Sequence, residues 1–376
     1  MMIKQLIALL AIVSTASAAD LILYTGQSGT CFARSQKVFC QPVECLQPPP
    51  TVSPTPTATA TRTPTPAPTA TPPPPMPMIA RWEADMLTFG RQHCEFLKNT
   101  ANGFDPRLLA TYYDAQWVYQ QIKQYTGDPY WDGCATAAEA VYRDAYARPN
   151  NGVIPGYWNF TRGLADDFLS TADPISKAAA IQISQNAAFS RDTTQTSETL
   201  SFLTSREVSY AILSYLDAMR LGEPRRARLT LLVDHAFGHY EQWFVARTGY
   251  VKPFMVGLWA ATFIEYDKNT MDARTLPALR SAADWMWANV WNAPSKSFLY
   301  IERAVTGEDP PNPAPDLNQL IAPLYAWLWT KTRDPKYRDQ ADQIFAGGVE
   351  GAYLVNAKQF NQNYRLSFAT VRLRNS

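Results

Sequence analysis

Five acidic residues stand where helix-like stretches of this chain begin: Asp114, Asp166, Asp167, Glu207 and Asp316. Two carboxyls, one protonated and one ionised, are the equipment for hydrolysing a glycosidic bond, the first as general acid and the second as base or nucleophile. Glu207 is the first candidate for the acid. Arg206 precedes it, Tyr210 follows one turn on, and Val208, Ala211 and Ile212 make an apolar setting of the kind that favours a neutral, proton-donating carboxyl. Asp114 is the candidate base and Asp316 the reserve. Each also has a plainer role open to it: Glu207 can pair with Arg206, and the two aspartates can cap helices.

The neighbours of these acids are polar and aromatic, as in Tyr112-Tyr113-Asp114-Ala115-Gln116-Trp117, Tyr157-Trp158-Asn159 and Asn361-Gln362-Asn363-Tyr364-Arg365. Sugars present C–H faces that pack on aromatic rings and hydroxyls that need amide, guanidinium or carboxylate partners. Tyr113, Trp117, Trp158, Arg206, Tyr210, Asn318, Tyr364 and Arg365 are the candidate substrate contacts, with Trp259 a further ring. Core packing is the alternative for each aromatic. A lyase would use a different set, with Tyr210 or Tyr364 taking a proton and Arg206, Arg365 and Asn318 neutralising a uronic carboxylate.

The elements that must hold these residues are marked by a recurring turn. It reads Thr126-Gly127-Asp128-Pro129, Thr171-Ala172-Asp173-Pro174, Leu221-Gly222-Glu223-Pro224 and Thr332-Arg333-Asp334-Pro335, with a looser copy at Thr270-Met271-Asp272…Leu276-Pro277. Successive prolines lie 45, 50, 53 and 58 residues apart, which marks a repeated supersecondary unit. Proline cannot continue a helix but starts one well, and an acid before it suits the next helix N-terminus. Each mark therefore ends one helix and begins another, and the unit is an αα-hairpin.

Apolar residues at Leu229, Leu232, Val233, Ala236, Tyr240, Trp243 and Phe244 follow the helical period. The pattern predicts first helices near 107–125, 161–170, 203–221, 254–268 and 317–332, and second helices near 134–147, 174–190, 224–247, 277–291 and 335–346. A helix over 80–98 precedes them and a segment over 358–373 follows; together these can close a ring. Short strands are expected at most near Phe298–Ile301 or Val371–Leu373.

Six such hairpins, with phrasing like Asp334-Pro335-Lys336-Tyr337 followed by Asp339…Ala341-Asp342, resemble the (α/α)6 toroid of six-hairpin glycosidases and several polysaccharide lyases. The resemblance spans nearly all of residues 79–376. It implies an all-α domain with the Asp-Pro turns at one end and the starts of the first helices around a mouth at the other. It also implies a secreted carbohydrate-active protein: a glycoside hydrolase first, a polysaccharide lyase second, a non-catalytic glycan-binding surface protein third. It carries no diagnostic catalytic motif, and fold alone does not give function.

Composition agrees with export. Residues 1–19 read as a signal peptide, with Lys4, an apolar run from Leu6 to Val13 and the small residues Ala16-Ser17-Ala18. Residues 20–47 hold Cys31, Cys40 and Cys45 and read as a small disulfide-closed loop. Residues 48–78 are almost wholly Pro, Thr, Ala and Ser and read as an extended, disordered linker of a type common in modular secreted bacterial proteins. Cys94 and Cys134 are the only cysteines after it, and a bridge between them would tie the first helix to the second hairpin. With a net charge of +1 and no long basic run, nucleic-acid binding is disfavoured. No stretch is long enough to span a membrane. His235 and His239 have metal-permitting spacing, but Ala236 stands where a catalytic glutamate would, and no metal or cofactor is expected. The chain is expected to act as a monomer on a carbohydrate substrate.

Overall fold

The computed structural model describes residues 75–376 and, before them, three strands: β1 (Ile22–Gly26), β2 (Gly29–Arg34) and β3 (Lys37–Gln41). The expected signal peptide, and the Pro/Thr-rich segment as far as Pro74, lie outside the described residues. The chain divides into two units, Met1–Ala70 and Thr71–Ser376.

In the first unit the strands form an antiparallel sheet in the order β1-β2-β3. The sheet lies within residues 20–47, the segment read from sequence as a disulfide-closed loop. The register pairs Gly26 with Gly29 and Arg34 with Lys37, so each connection is two residues long, the commonest hairpin length. Cys31 and Cys40 are register partners.

The second unit is mostly helical. Its helices are α1 (Ile79–Lys98), α2 (Phe104–Leu109), α3 (Ala115–Thr126), α4 (Tyr130–Glu139), α5 (Arg162–Thr171), α6 (Pro174–Asn186) and α7 (Ser205–Arg220). They continue with α8 (Ala227–Tyr240), α9 (Pro253–Thr270), α10 (Thr275–Val290), α11 (Ala322–Thr332), α12 (Pro335–Glu350) and α13 (Ala357–Arg374). Wider π turns prolong α4 over Ala140–Ala147 and α8 over Glu241–Val245. The only strands among its described residues are the pairs β4 (Trp291–Asn292) and β5 (Ser297–Phe298). Val371–Leu373 is helical.

The three Thr-x-Asp-Pro copies of the turn share one geometry. In three copies the threonine Oγ1 accepts the aspartate N–H at 3.2 Å, while the hydroxyl donates to the carbonyl four residues back. The aspartate Oδ1 then accepts an N–H from the first turn of the next helix, at 2.9 Å for Tyr130 and Ile175 and 3.0 Å for Lys336. The residue between them is left-handed: Gly127 at φ 72°, Ala172 at 62°, Arg333 at 55°. One four-residue phrase thus caps the outgoing helix and the incoming one.

Helices pair as α3 with α4, α5 with α6, α7 with α8, α9 with α10 and α11 with α12. The first members also touch in sequence: α3 packs on α5, α5 on α7, α7 on α9, α9 on α11, α11 on α13, and α13 on α3. Helix α1 lies against α4 and α13. α9 buries Phe254, Val256, Leu258, Trp259, Ala260 and Phe263, which point around its whole circumference, as a helix enclosed by neighbours must. α13 joins α3 through amides that bond to backbone. Asn361 Nδ2 donates to the carbonyls of Ala110 and Tyr112, each at 2.8 Å, and Gln121 Nε2 donates to that of Arg365 at 3.1 Å. Met76 is already buried, so the packed unit starts a little before residue 79. The Cys94–Cys134 disulfide joins α1 to α4, the second helix of the first hairpin and not of the second as expected. No helix among the described residues is long and apolar enough to cross a membrane.

Candidate functional site

The predicted first helix is interrupted. α2 ends at Leu109, and the chain enters α3 through Tyr113 and Asp114 at φ 67° and 65°. Two successive left-handed non-glycine residues store strain, about 1–3 kcal/mol each, of the kind found at functional sites. Asp114 caps α3: one carboxylate oxygen accepts the Trp117 N–H at 3.3 Å and the other the Gly163 N–H at 3.1 Å. Glycine is needed at 163, since a Cβ there would lie 2.6 Å from Asp114 Oδ1. Burial pushes the Asp114 pKa up to about 6, against the pull of Arg365 and the two backbone N–H groups.

Around this entry the structure gathers several of the predicted residues. Tyr112 meets Tyr113 and Trp158 edge-on, with ring centroids 4.9 and 4.8 Å apart, and Phe160 bridges from Tyr112 to Tyr210. Arg365 Nη1 donates to the Tyr210 hydroxyl at 2.9 Å, and its guanidinium lies over the Phe160 and Tyr210 rings. Glu207 opens α7 and takes two contacts from Arg206, Nη2 at 2.5 Å and Nε at 3.1 Å, to one oxygen. Burial raises the Tyr210 pKa despite Arg365 and Arg206, so its phenol is a proton holder and not a ready base.

Other candidates sit elsewhere. Tyr364 is in the core against Trp82 and Phe360, with its hydroxyl donating to the Trp82 carbonyl. Trp259 is fully buried between α8 and α9, donating to the Ala236 carbonyl. Asn318 ties backbone together, donating to the Lys296 and Ile344 carbonyls and accepting from Phe298 N–H. Asp316 is half-buried, and burial raises its pKa, while its carbonyl accepts from Gln362.

The open space lies further along α3, α5, α7, α9, α11 and α13 than the sequence implied, because the helix entrances are filled by their own aromatic rings. A cavity of about 140 Å³ is walled by Leu213, Leu258, Ile264, Pro323, Leu366 and Leu373 and edged by Asn159, Tyr210 and Arg365. It shares Trp117, Arg162, Glu265, Lys268 and Arg372 with a wider cleft of about 830 Å³. The cleft carries five cationic and five anionic side chains. Most are paired: Lys123 with Asp132, Arg220 with Asp166, and Lys268 with Glu265, each at 2.6 Å. Arg162 is the centre of the net, 2.7 Å from Asp217 and 3.4 Å from Glu265. Burial would raise the Glu265 pKa, but Arg162 and Lys268 hold it below the usual carboxylate range. Gln120 and Gln121 donate to backbone carbonyls, while the Oε1 atom of each is buried without a partner.

Of the predicted residues, Trp117, Asp166 and Asp167 line the cleft, and Trp117, Tyr210 and Arg365 line the cavity. Asp217, Glu265, Lys268 and Arg372 were missed. The available signal was their charge on otherwise apolar helices.

Two metal-like groupings have structural occupants. Glu139, Asp167 and Asp173 converge, but Arg143 stands among them, paired with Glu139 and, at 2.6 Å, with Asp173. His235 and His239 both turn to Thr199, through its hydroxyl at 2.8 Å and its carbonyl at 3.0 Å. No family model, curated protein or solved structure matches this chain.

Proposed function

We propose that the cycle of six helices is the inner ring of an (α/α)6 toroid, and that the protein is an exported carbohydrate-active protein that holds a neutral glycan in the Trp117 cleft. The observation that carries this reading is the pair of unpartnered amide oxygens, Gln120 Oε1 and Gln121 Oε1, beside the half-buried Trp117 indole. An aromatic face with adjacent hydrogen-bond acceptors suits a sugar ring and its hydroxyls. The charge balance of the cleft favours a neutral polymer over an acidic one. Export accords with the Cys94–Cys134 disulfide.

Hydrolysis, with Glu207 as acid and Asp114 as base, is a second reading. The observation that favours it is the strained, buried Asp114 with its pKa near 6. Against it, both Asp114 oxygens accept backbone N–H groups, Arg206 grips Glu207, and neither acid lines the cavity or the cleft.

The test is a panel of neutral and acidic polysaccharides, scored for binding by calorimetry and for reducing-end release, with absorbance near 235 nm read in parallel. Binding of a neutral polymer that falls about tenfold or more in Trp117→Ala supports the cleft reading. Reducing ends that vanish in Glu207→Gln establish the hydrolase, and a rise in absorbance a lyase. Failure of every polymer to bind would sink the glycan reading.

A further inference from the structure

The cavity beside the cleft differs from it in chemistry. Its walls are aliphatic, yet Arg162, Lys268, Arg365 and Arg372 face it against only two carboxylates, Asp217 and Glu265. Those two are already used, Asp217 by Arg162 and Arg220 and Glu265 by Arg162 and Lys268. Two guanidiniums remain. Arg365 is only 4% exposed, bonds to a neutral phenol through Nη1, and leaves its Nε without a partner. Arg372, at an exposed position, makes no hydrogen bond or ion pair among the described residues and meets the charges of Glu265 and Asp166 only at longer range. A buried guanidinium N–H without an acceptor is costly, and the carboxylate of a guest entering the chamber would supply one to Arg365.

The volume limits the guest. At about 140 Å³ the space matches an apolar cavity that holds one benzene-sized molecule. Asn159 adds a polar mark. It is 3% exposed, donates through Nδ2 to Ser190, and leaves Oδ1 without a partner. That oxygen is an acceptor for a hydroxyl.

We propose that this chamber is a binding site for a small aromatic or alicyclic carboxylate, a single ring whose carboxylate meets Arg365 and Arg372 and whose hydroxyl, when present, meets Asn159. The site adjoins the glycan cleft and shares Trp117 and Arg372 with it, but its apolar walls set it apart in chemistry. A sugar acid of the same charge is a poor guest, because its hydroxyls would face Leu213, Leu258, Ile264 and Leu366 unbonded.

Calorimetric titration of the whole chain tests this with benzoate, 4-hydroxybenzoate, neutral benzyl alcohol and glucuronate. Benzoate is expected to bind with one-site saturation, 4-hydroxybenzoate more tightly, and benzyl alcohol and glucuronate at least about tenfold more weakly. Arg372→Gln, at an exposed position, should weaken benzoate by about tenfold or more without changing benzyl alcohol. Ala369→Phe, which fills the chamber from α13, should abolish binding. Equal affinity for benzoate and benzyl alcohol, or no saturation of benzoate up to about 10 mM, would overturn the proposal. Unchanged benzoate binding in Arg372→Gln would overturn it as well, whether or not Ala369→Phe folds.

Discussion

Asp114→Asn separates two effects that the wild-type carboxylate combines. The first does not depend on pH. The asparagine oxygen can accept one of the Trp117 and Gly163 N–H groups but its amide nitrogen cannot accept the other, so the variant loses about 1–2 kcal/mol. The second does. The folded pKa is raised from 3.8 to about 6, so a protonated Asp114 favours the folded state. That stability is complete below about 3.8 and is lost as pH rises through about 6. A shift of about two units corresponds to about 3 kcal/mol. The wild type should therefore lead the variant most at low pH, and the lead should shrink by about 3 kcal/mol between pH 4 and pH 7. Urea unfolding of both proteins at matched pH values reads the difference directly, because all other titrating groups are shared. A difference that stays flat with pH, or grows as pH rises, would refute the argument that burial dominates this carboxyl.

Arg162→Ala removes the main partner of Asp217, a carboxylate only 1% exposed, and should destabilise the fold by about 3–5 kcal/mol in urea unfolding, far more than Lys123→Ala on the exposed rim. The Cys94→Ala/Cys134→Ala pair opens a cross-link spanning 40 residues and should cost up to about 4 kcal/mol, read as a lower midpoint that reductant no longer changes. Burial lowers the His239 pKa to about 4, so this neutral imidazole supports the fold above pH 6.5 and its support is lost as pH falls through about 4; His239→Asn should flatten the acid limb by about 3 kcal/mol. Gly347→Ala should impair folding, because its Cβ would run into the Lys296 carbonyl; a normal melting temperature would contradict that packing.

The hairpins were legible because their signals are local. Thr171-Ala172-Asp173-Pro174 states in four residues where one helix stops and the next begins, and the hydrogen bonds follow that statement. The break before α3 was not legible. Residues 107–125 contain neither glycine nor proline, so the period runs straight through, and only tertiary packing puts Tyr113 and Asp114 into the left-handed region. The polar run Asn361-Gln362-Asn363 read as a sugar-binding rim for a related reason. Sequence shows that amides are present but not whether their partners are hydroxyls or, as for Asn361, the carbonyls of Ala110 and Tyr112. The Arg162–Asp217–Glu265 net joins three helices, and its members lie 55, 103 and 48 residues apart in pairs, beyond the reach of any local pattern.

The contact of α13 with α1 and α3 makes the position of the chain ends nearly arbitrary for the helical unit. Trp82, near the start of α1, donates to Ser367 in the second half of α13, while His93, further along α1, meets Leu354 just before α13 begins. The two helices run antiparallel, so residue 79 and residue 374 lie at the same edge. A short glycine-rich join from Ser376 back to Met76, with new termini cut at the Gly222 turn, should yield a circular permutant with the same native contacts. What the natural order decides instead is timing. Helix α13, made after all the helices it touches, packs on both α1 and α3, so the first hairpin gains its full set of contacts only once α13 has been made.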